Sequence, residues 1–523
     1  LKSSCPQALF FPSTRGGRTG GRALGRDMPA ADAGSSDDDY GAAAGLKEAE
    51  AEESSRSAKR ARQESERLLA ATSSPGGQSA IGLGDLPLAV IVSRLVPRDC
   101  RALPATASTL RAACRRERPA LDLTRGNARL TWKSVSLLAR AGYFRVASAW
   151  LQKELSDREL EALVALEGFA DSIFTLSLHG CRQITNASSL GACARLRSLD
   201  LSWCQRLVNV VGLASCAALQ TLSLTECNRL THLQGLGGCK ALTTLHLSWC
   251  ELLADVSGLA GCMRLDSLHL TGCARLSTLR GLSGCPSLEV LNLSKVPRLA
   301  DLSELAGCAS LWSLNVADCG SLGDVSALGD CAALRQLDLS GCARLAALQG
   351  LGACPRLRKA DISGCGHLVD VTGLAGSPAL EELDLSNSAK LVEVSALGSC
   401  PMLRELDLFN CAKVESVSAL GGCKALTTLN LSGCKQLQDV SGLGTCTNLE
   451  WLDLSVCDRL ADVSALRSCK RLTSLNLSNC RELPDIRSLA GCEELHMLNL
   501  DGTSSERALD TGAAMALPPP AAA

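Results

Sequence analysis

The residues of this 523-residue chain best equipped for chemistry are its cysteines, 28 of them beside only six histidines. Thiolates attack carbonyl carbon, bind soft metals and pair as disulfides, and spacing separates these uses. Of the 28, 25 fall into two columns. One holds Cys181, Cys204, Cys227, Cys250, Cys273, Cys319, Cys342, Cys365, Cys411, Cys434, Cys457 and Cys480. The other holds Cys193, Cys216, Cys239, Cys262, Cys285, Cys308, Cys331, Cys354, Cys400, Cys423, Cys446, Cys469 and Cys492. Separations between the columns alternate between 12 and 11 residues and no C-x-x-C occurs, so zinc-ribbon spacing is missing. A column of equivalent cysteines has no natural pairing partner, because each has two identical neighbours. Val296, Ser377 and Ser388 also break the columns, single losses that a disulfide framework tolerates badly. The pattern predicts small, buried, reduced thiols at tight corners, and with them a reducing compartment, cytoplasmic or nuclear.

No other constellation offers catalysis. The chain has no G-x-x-x-x-G-K-[ST], no H-E-x-x-H and no nucleophile elbow, and its histidines are scattered. The reading is non-enzymatic, with no cofactor and no metal. The 53 basic residues face 54 acidic ones, a net charge of −1, which excludes a strongly basic nucleic-acid binder. No apolar run reaches the roughly 18 residues of a membrane span.

What positions the cysteines is a repeat. Leucines stand 23 residues apart from Leu196 and Leu219 through to Leu495, and Ile173 extends the series back by one. Fourteen full units cover 173–494 without an insertion or deletion. The unit reads L-x-x-L-x-L-S-x-C-x-x-L-x-D-V-S-x-L-x-x-C-x-x. Numbered from its first leucine, positions 4 and 6 alternate with polar ones as a half-buried strand requires. Positions 12, 15 and 18 point inward from the return. No unit buries these residues alone, so neighbours must stack into one continuous core. At a strand spacing of about 4.8 Å, the stack is about 65 Å long. A 23-residue unit leaves little room for a full outer helix, so turns or 3₁₀ pieces are expected there. The same thin interior accounts for an aromatic content of only 3%.

This unit resembles the leucine-rich repeat, with Cys where many such repeats carry Asn. The resemblance implies an α/β fold: a leucine-rich-repeat solenoid with a curved parallel sheet on its concave side and short convex turns or 3₁₀ segments. A small helical N-terminal module and disordered tails complete the expected architecture. Upstream, Leu86-Pro87 opens an apolar stretch with Val90, Ile91 and Leu95, followed by Pro97, Asp99, Leu103, Leu110 and Arg111. This segment resembles an F-box, the module that docks on the Skp-type adaptor of cullin–RING ubiquitin ligases. The stretch from Leu86 to Leu95 is about one helical turn shorter than usual, and Pro104 interrupts the second helix, where proline is costly. The resemblance implies adaptor contacts from Leu86, Pro87, Val90, Ile91, Leu95, Leu103 and Leu110. An F-box followed by cysteine-bearing repeats is the order of a class of substrate receptors, which implies the recognition subunit of an SCF-type ligase acting in protein degradation. A repeat scaffold or regulatory binding protein with no ubiquitin-ligase role is the alternative.

The expected organisation follows. Residues 1–80 are disordered, rich in Ala, Ser, Glu and Asp, with 1–27 reading as leader ahead of Met28. Residues 81–125 form the F-box-like helical module. Residues 126–172 form a helical linker and N-terminal cap, where Ser156-Asp157-Arg158-Glu159 is a capping-box sequence. The solenoid covers 173–500, and 501–523 is a disordered tail.

Positions 2, 3, 5, 7 and 8 of each unit are predicted to be exposed. Trp203 and Trp249 occupy position 8 of units 2 and 4, with Glu226 between them in unit 3. His246 and His269 occupy position 5 of units 4 and 5, where the pair has no exposed carboxylate pair beside it to complete a metal site. Asp338, Asp361, Asp384 and Asp407 stack at position 5 of units 8–11, with Phe409 and Trp451 nearby. Exposed tryptophans are natural binding anchors, and an acidic row suits a basic peptide. The concave face is thus expected to hold a protein partner through Trp203, Glu226, His246, Trp249, His269, Asp361, Asp384, Asp407, Phe409 and Trp451. The chain is expected to be monomeric within a complex that includes the Skp-type adaptor and a cullin, without nucleic acid or membrane.

Overall fold

In a computed structural model of the chain, the described residues are 121–122, 146–150, 154–166 and 168–504. The segment 1–80, Leu86, Pro87, Val90, Ile91, Leu95, Leu103 and Leu110 of the F-box-like stretch, and the tail from 505 lie outside them.

Each unit of the repeat is one coil. A strand of three residues fills positions 3–5, beginning with Thr175–Ser177 in unit 1 and ending with Met497–Asn499 in the last, partial unit. Because every unit has the same length, each strand pairs with the next in parallel and position for position: Ser198 with Thr221, Leu199 with Leu222, Asp200 with Ser223. The chain then turns. The Cys204 N–H donates to the Leu201 carbonyl at 3.1 Å, and the Leu207 N–H to the Cys204 carbonyl at 2.9 Å. On the return, the acid of the D-V-S motif accepts a backbone N–H two residues on, as Asp301 does from Ser303 at 2.8 Å. A 3₁₀ segment of three to five residues follows, such as Val211–Ser215. The expectation of short 3₁₀ pieces in place of a helix therefore holds.

Positions 1, 4, 6, 9, 12, 15, 18 and 21 form the core. In unit 2 these are Leu196, Leu199, Leu201, Cys204, Leu207, Val210, Leu213 and Cys216, none more than 1% exposed. They belong to one apolar cluster that runs from Leu155 to Cys492. No coil is stable alone; each buries its leucines against the coils on either side.

Helix α1 (Asp157–Val164) and helix α2 (Phe169–Ser172) precede the first regular coil. The Ser156 N–H donates to Glu159 Oε2 at 2.9 Å, the capping-box bond expected from the sequence. Leu160, Leu163 and Val164 turn into the core, and Asp157 accepts the Thr185 N–H at 2.8 Å, which ties α1 to coil 1. The helical reading of 126–172 needs one correction. Val146–Trp150 is a strand, paired in parallel with that of coil 1 (Ser148 with Thr175, Ala149 with Leu176, Trp150 with Ser177), and Leu121–Asp122 pairs with it in turn. An open sheet edge presents a row of unpaired backbone groups, and the preceding chain satisfies it. Ser148 lies 27 residues before Thr175, outside the 23-residue register, so periodicity could not reveal this strand. Among the described residues, no helix is long and apolar enough to cross a membrane.

Candidate interaction surface on the strand face

Position 8 is where the chain leaves the strand, and there it crosses the left-handed region in every coil from Gly180 (φ +71°) to Gly502 (φ +73°). Glycine holds this position in six coils, and Asn387, Asn410, Asn479 and Asp318 hold it in four others. These types enter the region at least cost. Five coils break the rule with Trp203 (φ 64°), Glu226 (61°), Trp249 (62°), Lys295 (57°) and Val456 (58°). The first three are consecutive. Each such residue costs about 1–2 kcal/mol in backbone strain.

Left-handed turns lay the position-8 side chain along the stack, over the next coil. The Trp249 indole lies over Gly272, where a Cβ would sit 2.5 Å from its Cε3 and 2.7 Å from its Cδ2. Asp318 lies over Gly341 in the same way. The expectation that position 8 is exposed holds at Trp203, Asp318, Asn387, Asn410 and Asn479, but not at Glu226 and only partly at Trp249. Trp203 is 38% exposed, Trp249 is half-buried, and Glu226 is buried at 9%. Asn228, with its amide nitrogen facing both turns, donates to the Trp249 carbonyl at 2.8 Å and the Glu226 carbonyl at 3.2 Å.

Position 5 has a rule of its own. In coil 2 and from coil 6 onward it is Asp or Asn, whose Oδ1 accepts the backbone N–H two residues on and closes the turn. Asp200 accepts from Ser202 at 2.9 Å, Asn292 from Ser294 at 2.9 Å, and Asn315 from Ala317 at 2.9 Å. Asp361, Asp384 and Asp407 do the same for Ser363, Ser386 and Phe409, at 3.0, 2.8 and 2.7 Å. The acidic row is therefore first a set of turn caps, half-buried on the strand face. Burial raises the Asp384 carboxyl above its ordinary range; the Ser386 hydrogen bonds oppose this, and the charges of Asp407 and Asp361 add to it. Coils 3, 4 and 5 carry Ser223, His246 and His269 instead, and an imidazole lacks the oxygen that makes this bond elsewhere. The two imidazoles stack, with ring centroids 4.7 Å apart and an interplanar angle of 16°. His246 Nε2 is buried without a hydrogen-bond partner. Burial, and then the charge of His269, lowers His246 to about 3, so its ring is neutral near pH 7. Among the described residues, no third ligand joins the pair to hold a metal.

Trp203, Glu226, His246, Trp249 and His269 thus fall together on coils 2–5. Phe409 and Trp451 are exposed, at 43% and 37%, but they stand on coils 11 and 13, far along the stack. Sequence reasoning missed Gly272 and Asn228, which seat Trp249 from either side. The signal for Gly272 was the glycine and asparagine bias of the position-8 column.

The described cysteines of both columns are buried free thiols. From coil 2 onward, each position-9 thiol donates to the position-6 carbonyl one coil back, and each position-21 thiol to the position-18 carbonyl. Cys204 reaches Leu178 and Cys216 reaches Leu190, both at 3.3 Å. Burial pushes Cys216 up to about 11 and, with the neighbouring thiols Cys216 and Cys262, Cys239 to about 12. Such thiols are protonated at neutral pH and are poor nucleophiles.

Residues 401–445 and 447–491 match the family described as Leucine Rich repeats (2 copies). No curated protein matches the chain. Among solved structures, a leucine-rich-repeat protein of Leptospira interrogans is similar at 19% identity, over 73% of this chain and 97% of that one, with a TM-score of 0.54. An internalin (InlF) of Listeria monocytogenes is similar at 20% identity over 62% and 90%, with a TM-score of 0.44. The functional domain of InlJ from Listeria monocytogenes, described as including a cysteine ladder, is similar at 19% identity over 55% and 64%, with a TM-score of 0.38. With one strand, one 3₁₀ return and the same eight buried positions in coil after coil, the described chain is a leucine-rich-repeat solenoid.

Proposed function

We propose that this chain is a non-catalytic protein-interaction solenoid that serves as the substrate-recognition subunit of a cullin–RING ubiquitin ligase, in the cytoplasm or nucleus. The interaction role is carried by one observation: coils 2–5 keep all eight core positions of the repeat, while coils 2–4 depart from it at position 8 and coils 3–5 at position 5 of the strand face. Residues that weaken their own turns without serving the core are retained for what they contact. The ligase role is supported by the F-box-like order of Leu86, Pro87, Leu95, Leu103 and Leu110 ahead of the repeats. In this reading, residues 81–125 hold the Skp-type adaptor, the strand face holds the target, and ubiquitin transfer is promoted by proximity.

Affinity purification of the full chain from cells tests both levels. The adaptor and a cullin are expected to co-purify, and to be lost when Leu86 and Leu95 are both changed to Asp. Persistence of the cullin in that variant would remove the ligase role and leave an interaction scaffold.

A further inference from the structure

Coils 2, 3 and 4 place Trp203, Glu226 and Trp249 at one equivalent position, each with φ between 61° and 64°. Bulky non-glycine residues hold this conformation only under strain. Lys295 and Val456 share it, but each stands between coils that carry Gly, Asp or Asn. On coils 3, 4 and 5 the turn-closing Asp or Asn of position 5 gives way to Ser223, His246 and His269, so the two departures overlap on coils 3 and 4. These two departures are independent of each other, and they meet on one patch.

We propose that this patch captures an arginine side chain of a protein partner, with the guanidinium against the indoles of Trp203 and Trp249 and the Glu226 carboxylate as its counter-charge. The proposal rests on the interaction role above and names the chemistry of the partner. Tryptophan presents the strongest aromatic face to a cation. A guanidinium is flat enough to stack on an indole while donating to a carboxylate through its fork, which an ammonium cannot do.

The local geometry suits that ligand. Trp203 and Trp249 are two coils apart, so their backbones are about 10 Å apart at the usual strand spacing, with Glu226 between them. Their left-handed turns lay side chains along the stack, as Trp249 lies over Gly272. Glu226 is 9% exposed, and it stands in the column between the two tryptophans. The stacked imidazoles extend the aromatic surface at 4.7 Å. The chain's own Arg206 on coil 2 is engaged elsewhere, donating to Gln183 Oε1 at 3.0 Å. An anionic ligand would meet the like charge of Glu226.

The test uses the full chain labelled with 5-fluorotryptophan and followed by fluorine NMR, with Trp203→Gly and Trp249→Gly spectra assigning the two resonances. The probes are Gly/Ser nonapeptides with a central arginine, citrulline or norleucine. The arginine peptide is expected to shift both resonances saturably, and the citrulline and norleucine peptides to bind at least tenfold more weakly. Glu226→Gln is expected to weaken the arginine peptide at least tenfold. Trp203→Gly is expected to lose binding while keeping or raising the thermal midpoint, because glycine relieves the turn. Equal binding of the citrulline peptide, no response to the arginine peptide, or a lowered midpoint in Trp203→Gly would each overturn the proposal. Partner co-purification is read separately: partners retained by a chain that ignores the arginine peptide would overturn the clamp alone. A wild-type chain that retains no partner would overturn the interaction role itself.

Discussion

The Sγ of Cys204 donates to the carbonyl oxygen of Leu178, 26 residues earlier and one coil back, at 3.3 Å. That oxygen already accepts the Cys181 N–H at 3.0 Å, so the thiol fills its second lone pair. The bond recurs down the stack, with Cys342 on Val316 at 3.3 Å and Cys480 on Leu454 at 3.0 Å. Each cysteine is thus both a small core residue and a link between coils. Changing Cys342 to Ala removes the donor and leaves a small void, and is expected to cost about 1–3 kcal/mol. Urea unfolding at a fixed slope measures it; an unchanged midpoint would mean that neither the bond nor the packing of the thiol contributes to stability.

Ser388 makes the converse case. It occupies position 9 of coil 10, fully buried, and its Oγ has no hydrogen-bond partner. The shorter C–O bond keeps the hydroxyl from the carbonyl that a thiol reaches. Ser388→Cys is expected to restore the ladder on Ile362 and stabilise the chain by about 1–2 kcal/mol, because a buried unpaired hydroxyl is removed as a bond is gained. The thermal midpoint should rise. The same change at Ser377, whose Oγ already donates to Leu374 at 2.8 Å, should gain less.

Alkaline pH acts on both ladders at once. The ordinary thiol value is 9.0, and burial raises Cys216 to about 11 and Cys308 to about 11. A raised folded value means that the unfolded chain loses its protons first as pH rises. Stability is therefore whole below pH 9 and falls as pH climbs toward 11. With many thiols raised in the same sense, the fall should be steep. Denaturant midpoints between pH 7 and 11 check this, and they should flatten above pH 9 as cysteines are replaced by alanine. Thiol-reactive reagents at pH 7.5 should label the described cysteines only after denaturation.

The regular parts of this molecule were legible because they are periodic. Eight buried positions, the strand at positions 3–5 and the 3₁₀ return follow from the recurrence of Leu, Val and Cys at fixed spacing. What escaped was local or aperiodic. Asp384 reads as surface charge, because the recurrence of Asp and Asn at position 5 does not by itself reveal the local bond each makes, here to the Ser386 N–H two residues on. Glu226 reads as exposed because it is a polar residue outside the apolar columns of the repeat, and the left-handed turn at φ 61° leaves no mark in the sequence that would bury it. The strand Val146–Trp150 escaped because its pairing with coil 1 is set by an open sheet edge and not by the repeat.

His246 joins the two kinds of departure in one residue. Its folded value of about 3 lies below the ordinary 6.5, so the unfolded chain takes up the proton first as pH falls. The stability of the neutral ring is whole above pH 6.5 and declines as pH falls toward 3. His246→Asn removes that titration and supplies the oxygen that closes this turn in other coils. It is expected to gain about 1 kcal/mol near pH 7 and to lessen the loss of thermal midpoint between pH 6.5 and 4. An unchanged acid profile would mean that other groups govern it.

Val456 isolates the cost of the left-handed turn from any binding role. It is β-branched, sits at φ 58° on coil 13, and its neighbours in the column are Gly433 and Asn479. A branched Cβ crowds the following carbonyl in this region, whereas glycine has no Cβ to clash. Val456→Gly is expected to raise stability by about 1 kcal/mol, the relief of strain being partly offset by the greater freedom of glycine in the unfolded chain. Val456→Asn should gain with less of that offset. If urea midpoints show both variants less stable than the parent, the valine side chain contributes more by packing than its backbone costs, and the strain assigned to Trp203 must be revised by the same amount.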